Sequence, residues 1–388
     1  MATESRYFIP SVNVLGKDTI NEIGEHIKRQ NGTKALVVTD SVLNEIGIVE
    51  KVTDQIEKAG IEFAVYDGVQ PNPTVSNVND GLEMIEEVGA DVIVSLGGGS
   101  SHDCAKGIAA VASNGGKIED YEGLNQLDKD IMPLISVNTT AGTASEMTRF
   151  CIITDEERHI KMAIVDWRVT PNVSINDPVL MLEKPQSLTA FTGMDALTHA
   201  VEAYVSTIAN PLTDSAAEKA IELIGQNLRQ VVANGADYEL REKMAYAQFL
   251  AGMAFNNASL GLVHGMAHQL GGFYDLPHGV CNAIILPHVE DFNKLAKPER
   301  MANVAELLGE NTDGMSVMEA AEAGVMGIYK LAQDIGIPAN LEELGGVDPD
   351  DFETLAKNAL ADACSATNPR QATLEEVIGI FQNAYDGF

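Results

Sequence analysis

In the first half of the chain, amphipathic helical patterns alternate with short runs rich in Val and Ile. Alternation of this kind predicts helices packed on a parallel sheet. The strand candidates are residues 35–39, 63–66, 92–96 and 134–137. Between them, apolar side chains share one helical face at Ile20, Ile23 and Ile27, at Val49, Val52 and Ile56, and at Val75, Val78, Leu82 and Ile85.

The pattern changes after Asn176-Asp-Pro178. Long stretches rich in Ala, Glu, Leu and Met follow, with helical periodicity. Pro185 is placed to begin a helix, which sets a domain boundary there. We therefore predict an N-terminal α/β domain with a parallel sheet over residues 1–183, followed by an all-α C-terminal domain over 184–388.

The net charge of the chain limits the classes of partner that it can bind. The 388 residues carry 25 basic and 57 acidic side chains, a formal charge of −32. Such a surface repels nucleic acid and anionic lipid, so we expect neither as a partner. The acidity fits a saline habitat and equally an ordinary acidic cytosolic protein.

Location is inferred from what the sequence lacks. No apolar run is long enough to span a membrane, and the first residues lack a basic region followed by an apolar stretch. The cysteines at 104, 151, 281 and 364 form no Cys-x-x-Cys pair, so reduced thiols are expected. These features predict a cytoplasmic protein without a membrane partner.

A glycine turn, Gly97-Gly-Gly-Ser100, follows the strand candidate that ends at Leu96 and leads into a helix. Glycines let a ligand approach the main chain, and a helix N-terminus favours phosphate. The structural alternative is a tight strand-to-helix turn with Ser100 as N-cap.

A second loop, from Asn138 to Thr148, again follows a strand and is rich in Thr and Ser. Open α/β sheets bind ligands at the carboxyl ends of their strands, so two such loops together favour a nucleotide site. Taken alone, the segment is equally typical of a plain Ser/Thr turn.

Asp40 ends the strand candidate at 35–39. A carboxylate there accepts hydrogen bonds from a nucleotide ribose and repels a 2′-phosphate, which favours NAD over NADP. An isolated Asp at a strand end is also typical of a turn or a helix cap.

Candidate metal ligands lie in the helical half. Asp195 and His199 are four residues apart, which places them on one helix face, although the pair alone fits a buried hydrogen bond better. His264, His268 and His278 then fall in one glycine-rich segment. Buried imidazoles each need a partner, so this clustering favours a metal. One carboxylate with two or three imidazoles suits Fe(II), Zn(II) or another transition ion rather than Mg²⁺ or Ca²⁺.

Together these segments resemble the iron-containing alcohol dehydrogenase family, over nearly the whole chain and closest to its fermentative ethanol dehydrogenase branch. The motifs that carry the resemblance are Phe8-Ile-Pro10, Gly97–Ser100 with Asp103, Thr139–Thr148, Met147–Thr154, Gly193–Ala196, Met244–Asn257, His264–His278 and Thr367–Arg370. Ser101 departs from the pattern, since many members have proline there, and either residue suits the first turn of a helix.

The resemblance implies a dinucleotide-binding α/β domain and roles for individual residues. Asp195, His199, His264 and His278 would hold a divalent metal, Fe(II) or alternatively Zn(II), and His268 would face the substrate. NAD contacts are implied for Asp40, Asn72, Gly98, Gly99, Ser100, Thr139, Thr140, Lys161 and Leu180, with Thr148 and Phe150 nearby.

The implied reaction is reversible hydride transfer between NAD and a small primary alcohol such as ethanol. His268 is a candidate proton relay, or else a residue that only orients its neighbours by hydrogen bonding. Related alternatives are a lactaldehyde, 1,2-propanediol or 1,3-propanediol oxidoreductase, and a lyase of the dehydroquinate synthase type, which would form no net NADH. A metal-binding structural protein would leave the nucleotide loops unexplained. A homodimer is the expected assembly for a soluble enzyme.

Overall fold

The computed structural model describes residues 6–158 and 160–388, so the first residues used to predict location lie outside the described part. The chain divides into two compact units, Tyr7–Leu182 and a unit containing Glu183–Phe388.

The first unit is built on a parallel sheet. Its strands are β1 Val12–Leu15, β2 Lys34–Val38, β3 Glu62–Tyr66, β4 Val92–Gly97, β6 Leu134–Asn138 and β9 Val173–Asn176. They lie in the order β1-β9-β6-β4-β2-β3. Its helices are α1 Ile23–Arg29, α2 Ser41–Glu45, α3 Ile48–Lys58, α4 Val75–Val88 and α5 Gly99–Asn114.

A smaller sheet completes this unit. Strands β7 Phe150–Asp155 and β8 Ile160–Val165 pair antiparallel, and β5 Gly123–Leu124 pairs with β8 in parallel. The α/β fold class is confirmed and all four predicted strands are present, but the predicted number of strands was wrong. Strands β1 and β9 extend the main sheet, and they escaped prediction because each has only four residues and includes polar ones.

The predicted helical faces are buried. Ile23, Ile27, Val52 and Ile56 have no exposed surface, and together with Ala35 and Val37 they form part of the core on one face of the sheet. Val78 and Ile108 belong to the core on the other face. Burial of both faces explains why the central strands are continuous apolar runs.

The second unit is helical in its described residues. Its helices are α6 Gln186–Val205, α7 Pro211–Ala233, α8 Tyr238–Ala258, α9 Leu262–Tyr274, α10 His278–Asn293, α11 Pro298–Leu307, α12 Val317–Asp334, α13 Leu341–Leu344, α14 Phe352–Ala361 and α15 Leu374–Asp386. Helix α6 begins directly after Pro185, as predicted. Within residues 6–158 and 160–388, we find no helix with the length and apolar character needed to cross a bilayer.

Candidate functional site

Three helices bring the candidate metal ligands together. Asp195 and His199 lie one turn apart on α6, His264 lies in the first turn of α9, and His278 is the first residue of α10. Nε2 of His199 lies 3.9 Å from Oδ1 of Asp195, and Nε2 of His278 lies 3.7 Å from the same oxygen. Asp195, His199 and His264 are all buried, with 5% or less of their surface exposed.

The side-chain amide of Asn282 lies where acceptor atoms of three candidate ligands converge. Its amide nitrogen donates to Asp195 Oδ1 at 2.8 Å, and it lies 3.0 Å from His278 Nε2 and 3.2 Å from His264 Nε2. An amide nitrogen has two protons, so three acceptors exceed what it can satisfy. Sequence reasoning missed Asn282, although its position one turn after His278 was an available signal.

Two of the imidazoles, those of His199 and His264, are stacked. The ring of His199 lies between Phe255 and His264, with centroid separations of 4.3 and 4.7 Å, and Nδ1 of His199 has no hydrogen-bond partner among the described residues. Burial lowers the pKa of His264 well below its usual value, which keeps that ring neutral. Imidazole nitrogens and a carboxylate oxygen that converge on one point form a donor set that fits a divalent transition metal.

His268 is oriented by a carboxylate. Its Nδ1 lies 2.9 Å from Oδ2 of Asp362, and its ring stacks on His278 at 5.4 Å. Burial by itself would raise the pKa of Asp362, but the hydrogen bond and charge of His268 give a net lowering. His268, Asp362 and Cys364 also place donor atoms within 4.8 Å of one another, as do Asp195, His199 and His264. Asp362 was missed because it lies far from the histidines in sequence.

In the α/β unit, the two candidate nucleotide loops pack against each other. Helix α5 is capped by Gly98, so the alternative assignment of Ser100 as N-cap was wrong, and Ser100 lies inside the first turn. A Cβ atom at Gly98 would lie 2.8 Å from Cγ2 of Thr140, and one at Gly99 would lie 3.0 Å from Cγ2 of Thr143. Glycine is therefore needed for the close approach of these loops.

The side chain of Asn138 fixes the start of the second candidate nucleotide loop, which runs from Asn138 to Thr148. The amide nitrogen of Asn138 donates to the Thr140 carbonyl at 2.7 Å, and its Oδ1 accepts from the Thr140 backbone at 3.0 Å. Thr139 donates its backbone N–H to the Gly97 carbonyl at 2.9 Å. These bonds place Thr139 and Thr140 beside the glycine turn.

Lys106 on α5 binds the C-terminal part of the same loop and the residue Phe150 that follows it. Its ammonium has no exposed surface and donates to Ser145 Oγ at 3.0 Å, Thr148 Oγ1 at 3.3 Å and the Phe150 carbonyl at 2.6 Å. Ser145 donates in turn to Asp103 at 2.6 Å. Thr148 and Phe150 are thus held by a buried cation that sequence reasoning did not single out.

The remaining predicted cofactor residues have defined structural partners. Asp40 accepts from the backbone of Leu43 at 3.0 Å and caps α2, as the structural alternative predicted. Lys161 donates to Oδ1 of Asn72 at 2.8 Å, and Asn72 has the left-handed φ of 55°. Leu180 is buried in the core beside the sheet.

Comparison with known proteins identifies the family. Residues 10–178 match the model described as "Iron-containing alcohol dehydrogenase", and residues 189–385 match "Fe-containing alcohol dehydrogenase family, C-terminal". The chain belongs to the iron-containing alcohol dehydrogenase family, and it is an alcohol dehydrogenase of that type.

Relatives match from end to end. The chain is 53% identical over 381 residues to the 1,3-propanediol dehydrogenase of Citrobacter freundii, covering 98% of each chain. It is 47% identical over 380 residues to the NAD-dependent methanol dehydrogenase of Bacillus methanolicus, covering 98% of this chain and 100% of the relative. A crystal structure of a 1,3-propanediol oxidoreductase superposes with a TM-score of 0.97 at 52% identity, covering 98% of this chain and 100% of that one.

Proposed function

We propose that this enzyme interconverts a small primary alcohol and its aldehyde with NAD and a divalent metal. The proposal rests on the convergence of three acceptor atoms, from Asp195, His264 and His278, on one point. The amide nitrogen of Asn282 lies there and has only two protons to donate. We propose Asp195, His199, His264 and His278 as the metal ligands.

The donor set determines the kind of metal. One carboxylate and three neutral imidazoles leave a divalent ion with net positive charge, and such an ion supplies Lewis acidity that lowers the pKa of an alcohol. Fe(II) is our proposed resident metal, in keeping with the family, and Zn(II) is the alternative because such sites generally bind it more tightly.

For NAD, we propose contacts in the α/β unit from Asp40, Asn72, Gly98, Gly99, Ser100, Thr139, Thr140, Thr148, Phe150, Lys161 and Leu180. Bound NAD would supply the hydride acceptor for alcohol oxidation, and NADH the hydride donor for the reverse reaction. The amides at the start of α5 favour its phosphates, and Asp40 keeps one carboxylate oxygen beyond the one that caps α2. A carboxylate at that position disfavours the extra phosphate of NADP.

His268 is our proposed proton relay. Asp362 accepts the proton of Nδ1, which leaves Nε2 of His268 as the atom that takes up and releases a proton. Replacing His268 with Ala should lower turnover and change its pH profile. Unchanged turnover and pH dependence would leave His268 only the role of orienting its neighbours.

A second candidate substrate is 1,3-propanediol, which is favoured by the 53% identity to the C. freundii enzyme over 98% of both chains. Lactaldehyde and 1,2-propanediol belong to the same proposal. A comparison of kcat/KM for ethanol and the two propanediols separates these substrates, because each is measured with the same cofactor and metal.

We further propose that residues 1–183 and 184–388 form the cofactor and metal domains, and that the enzyme is a cytoplasmic homodimer. The domain proposal is supported by the compact units Tyr7–Leu182 and Glu183–Phe388. The dimer is supported by the prevalence of two-fold symmetry among soluble enzymes. Light scattering of the full chain and cell fractionation test the assembly and the location.

The test of function is anaerobic NAD reduction by chelated enzyme reloaded with Fe(II), with Zn(II) or with no metal. We expect NADH to form with ethanol or a propanediol after Fe(II) loading. Full activity without metal would contradict the metal proposal, and metal binding without any NADH formation would contradict the proposed reaction.

A further inference from the structure

Glu202 is a buried carboxylate that lies directly behind a proposed metal ligand. It is on α6 with Asp195 and His199, and the spacing of four and seven residues from Asp195 places all three on one helix face. Only 1% of its surface is exposed. A buried carboxylate needs strong partners to offset its desolvation.

One oxygen of Glu202 caps helix α9. Its Oε1 accepts from the backbone N–H of Val263 at 2.7 Å and of His264 at 3.4 Å. The N-cap residue of α9 is Gly261, which has no side chain to perform this role, and a Cβ atom there would lie 2.9 Å from Oε1. Glu202 therefore contributes from α6 to the capping of the first turn of α9.

The other oxygen fixes the ring of His264. Oε2 of Glu202 lies 2.5 Å from Nδ1 of His264. On the opposite side of the ring, Nε2 of His264 lies 3.2 Å from the amide nitrogen of Asn282, which is a donor. An acceptor at Nδ1 and a donor at Nε2 define the same tautomer, with the proton on Nδ1 and the lone pair on Nε2.

We infer that Glu202 is a positioning residue for the metal, because it sets both the tautomer of His264 and the placement of the first turn of α9. This inference rests on the proposed metal site. A carboxylate behind a ligating histidine raises the basicity of the ligand and contributes about 10- to 100-fold in metal affinity.

Replacing Glu202 with Gln separates the two roles. The Gln oxygen keeps the cap on α9, while its NH₂ group meets Nδ1 as a donor. His264 must then accept at Nδ1 and carry its proton on Nε2, the atom that the metal needs. We expect E202Q to fold like the wild type without metal and to bind Zn(II) about 10- to 100-fold more weakly.

Glu290 offers a matched control. It is fully buried on α10, and its Oε1 accepts from Asn293 at 3.3 Å rather than from a proposed ligand. Gln has the shape of Glu, and its amide oxygen can still accept from Asn293. E290Q should keep the wild-type affinity for Zn(II).

The experiment titrates chelated full-length wild type, E202Q and E290Q with Zn(II) against a competing chelator, and measures the thermal unfolding of each metal-free form. Weak binding by E202Q alone supports the inference. Equal affinity for all three proteins overturns it, and so does an equal loss in both variants. A wild type that binds no Zn(II) would instead overturn the proposed metal site.

A direct measurement covers the case in which E202Q fails to fold. Nitrogen-15 spectra of ring-labelled histidines in the metal-free wild type report which ring nitrogen carries a proton, and the His264 signal is assigned by its loss in H264N. We expect the proton on Nδ1. A proton on Nε2 would overturn the inference.

Discussion

Two buried polar clusters, one in each unit, have their hydrogen-bonding capacity matched to very different degrees. In the α/β unit, Lys106 is fully buried and its three ammonium protons meet three acceptors at Ser145, Thr148 and Phe150. In the helical unit, Asp195, His264 and His278 direct acceptor atoms at one amide nitrogen, and Nδ1 of His199 has no partner among the described residues.

The difference distinguishes a buried polar group that stabilises the fold from a buried polar cluster that can bind a ligand. A buried group whose hydrogen-bonding capacity is matched by protein partners stabilises the fold and presents nothing to a ligand. Acceptor atoms that converge on one point can instead bind a cation. The first arrangement predicts a stability defect when it is broken, and the second predicts a binding defect.

The largest effect is expected at Asp195. Asp195→Asn keeps the shape of the side chain but removes the carboxylate of the proposed ligand set, so metal affinity should fall by more than the about 100-fold typical of residues behind the ligands. Turnover should fall to background. Zn(II) titration and anaerobic NADH formation measure both effects, and NAD affinity serves as the control because it should not change.

Lys106→Met should destabilise the α/β unit without changing the proposed metal site. It leaves the Asp103 carboxylate, whose Oδ1 lies 3.9 Å from the Lys106 ammonium, without its cation, and it leaves three acceptors without a donor. This change is expected to cost about 3–5 kcal/mol in the free energy of unfolding. Trp167, the single tryptophan, lies in this unit and reports its unfolding in urea.

The control for Lys106 is Lys34→Met. Lys34 pairs with the exposed Glu62 at 3.3 Å on the same unit, where an ion pair contributes little. Unfolding of K106M at the wild-type urea concentration would contradict the assigned role of Lys106, and so would a loss of Zn(II) affinity.

Gly98→Ala tests the contact between the nucleotide loops. The new methyl group would lie 2.8 Å from Cγ2 of Thr140, so the loops must separate, and NAD affinity should fall about ten-fold, or about 1.4 kcal/mol. Adding Thr140→Ser removes the opposing methyl group and should recover part of the loss. Gly379→Ala, with nothing within 4 Å of its Cβ, should leave NAD titrations unchanged.

Asp362→Asn should produce the smallest effect, with a distinct pH dependence. The pKa of Asp362 is lowered in the folded state, so its stabilisation is fully present above the unfolded pKa of about 3.9 and is lost as pH falls through the folded pKa. Asn retains the cap on Cys364, so the variant should lose no more than about 1 kcal/mol at pH 7. A stability difference from wild type that grows on acidification, measured in urea at pH 7 and pH 3, would refute this assignment.

Prediction from the sequence succeeded where residue type and residue spacing indicate the same structural feature. The isoleucine and valine faces of the helices predicted the core, and the histidine spacing predicted which side chains would meet. The short strands β1 and β9 lack that periodicity. Glu202 and Asp362 act through contacts with histidines far away in the sequence, which no local pattern indicates.

The partners of Lys106 illustrate the same limit. A lysine on a helix is usually exposed, and only the packing of α5 against the segment from Ser145 to Phe150 buries its ammonium. Likewise, Gly98 was expected to approach a phosphate, whereas the structure adds a close approach to Thr140 that no local pattern indicates.

The most direct test of the account is the X-ray absorption spectrum of the Fe(II)-loaded enzyme. Asp195, His199, His264 and His278 predict nitrogen and oxygen neighbours only, with multiple scattering from three imidazoles. The adjacent group of His268, Asp362 and Cys364 would instead add a sulfur neighbour. A spectrum without sulfur is the result we predict, and an iron–sulfur distance would contradict the proposed metal centre.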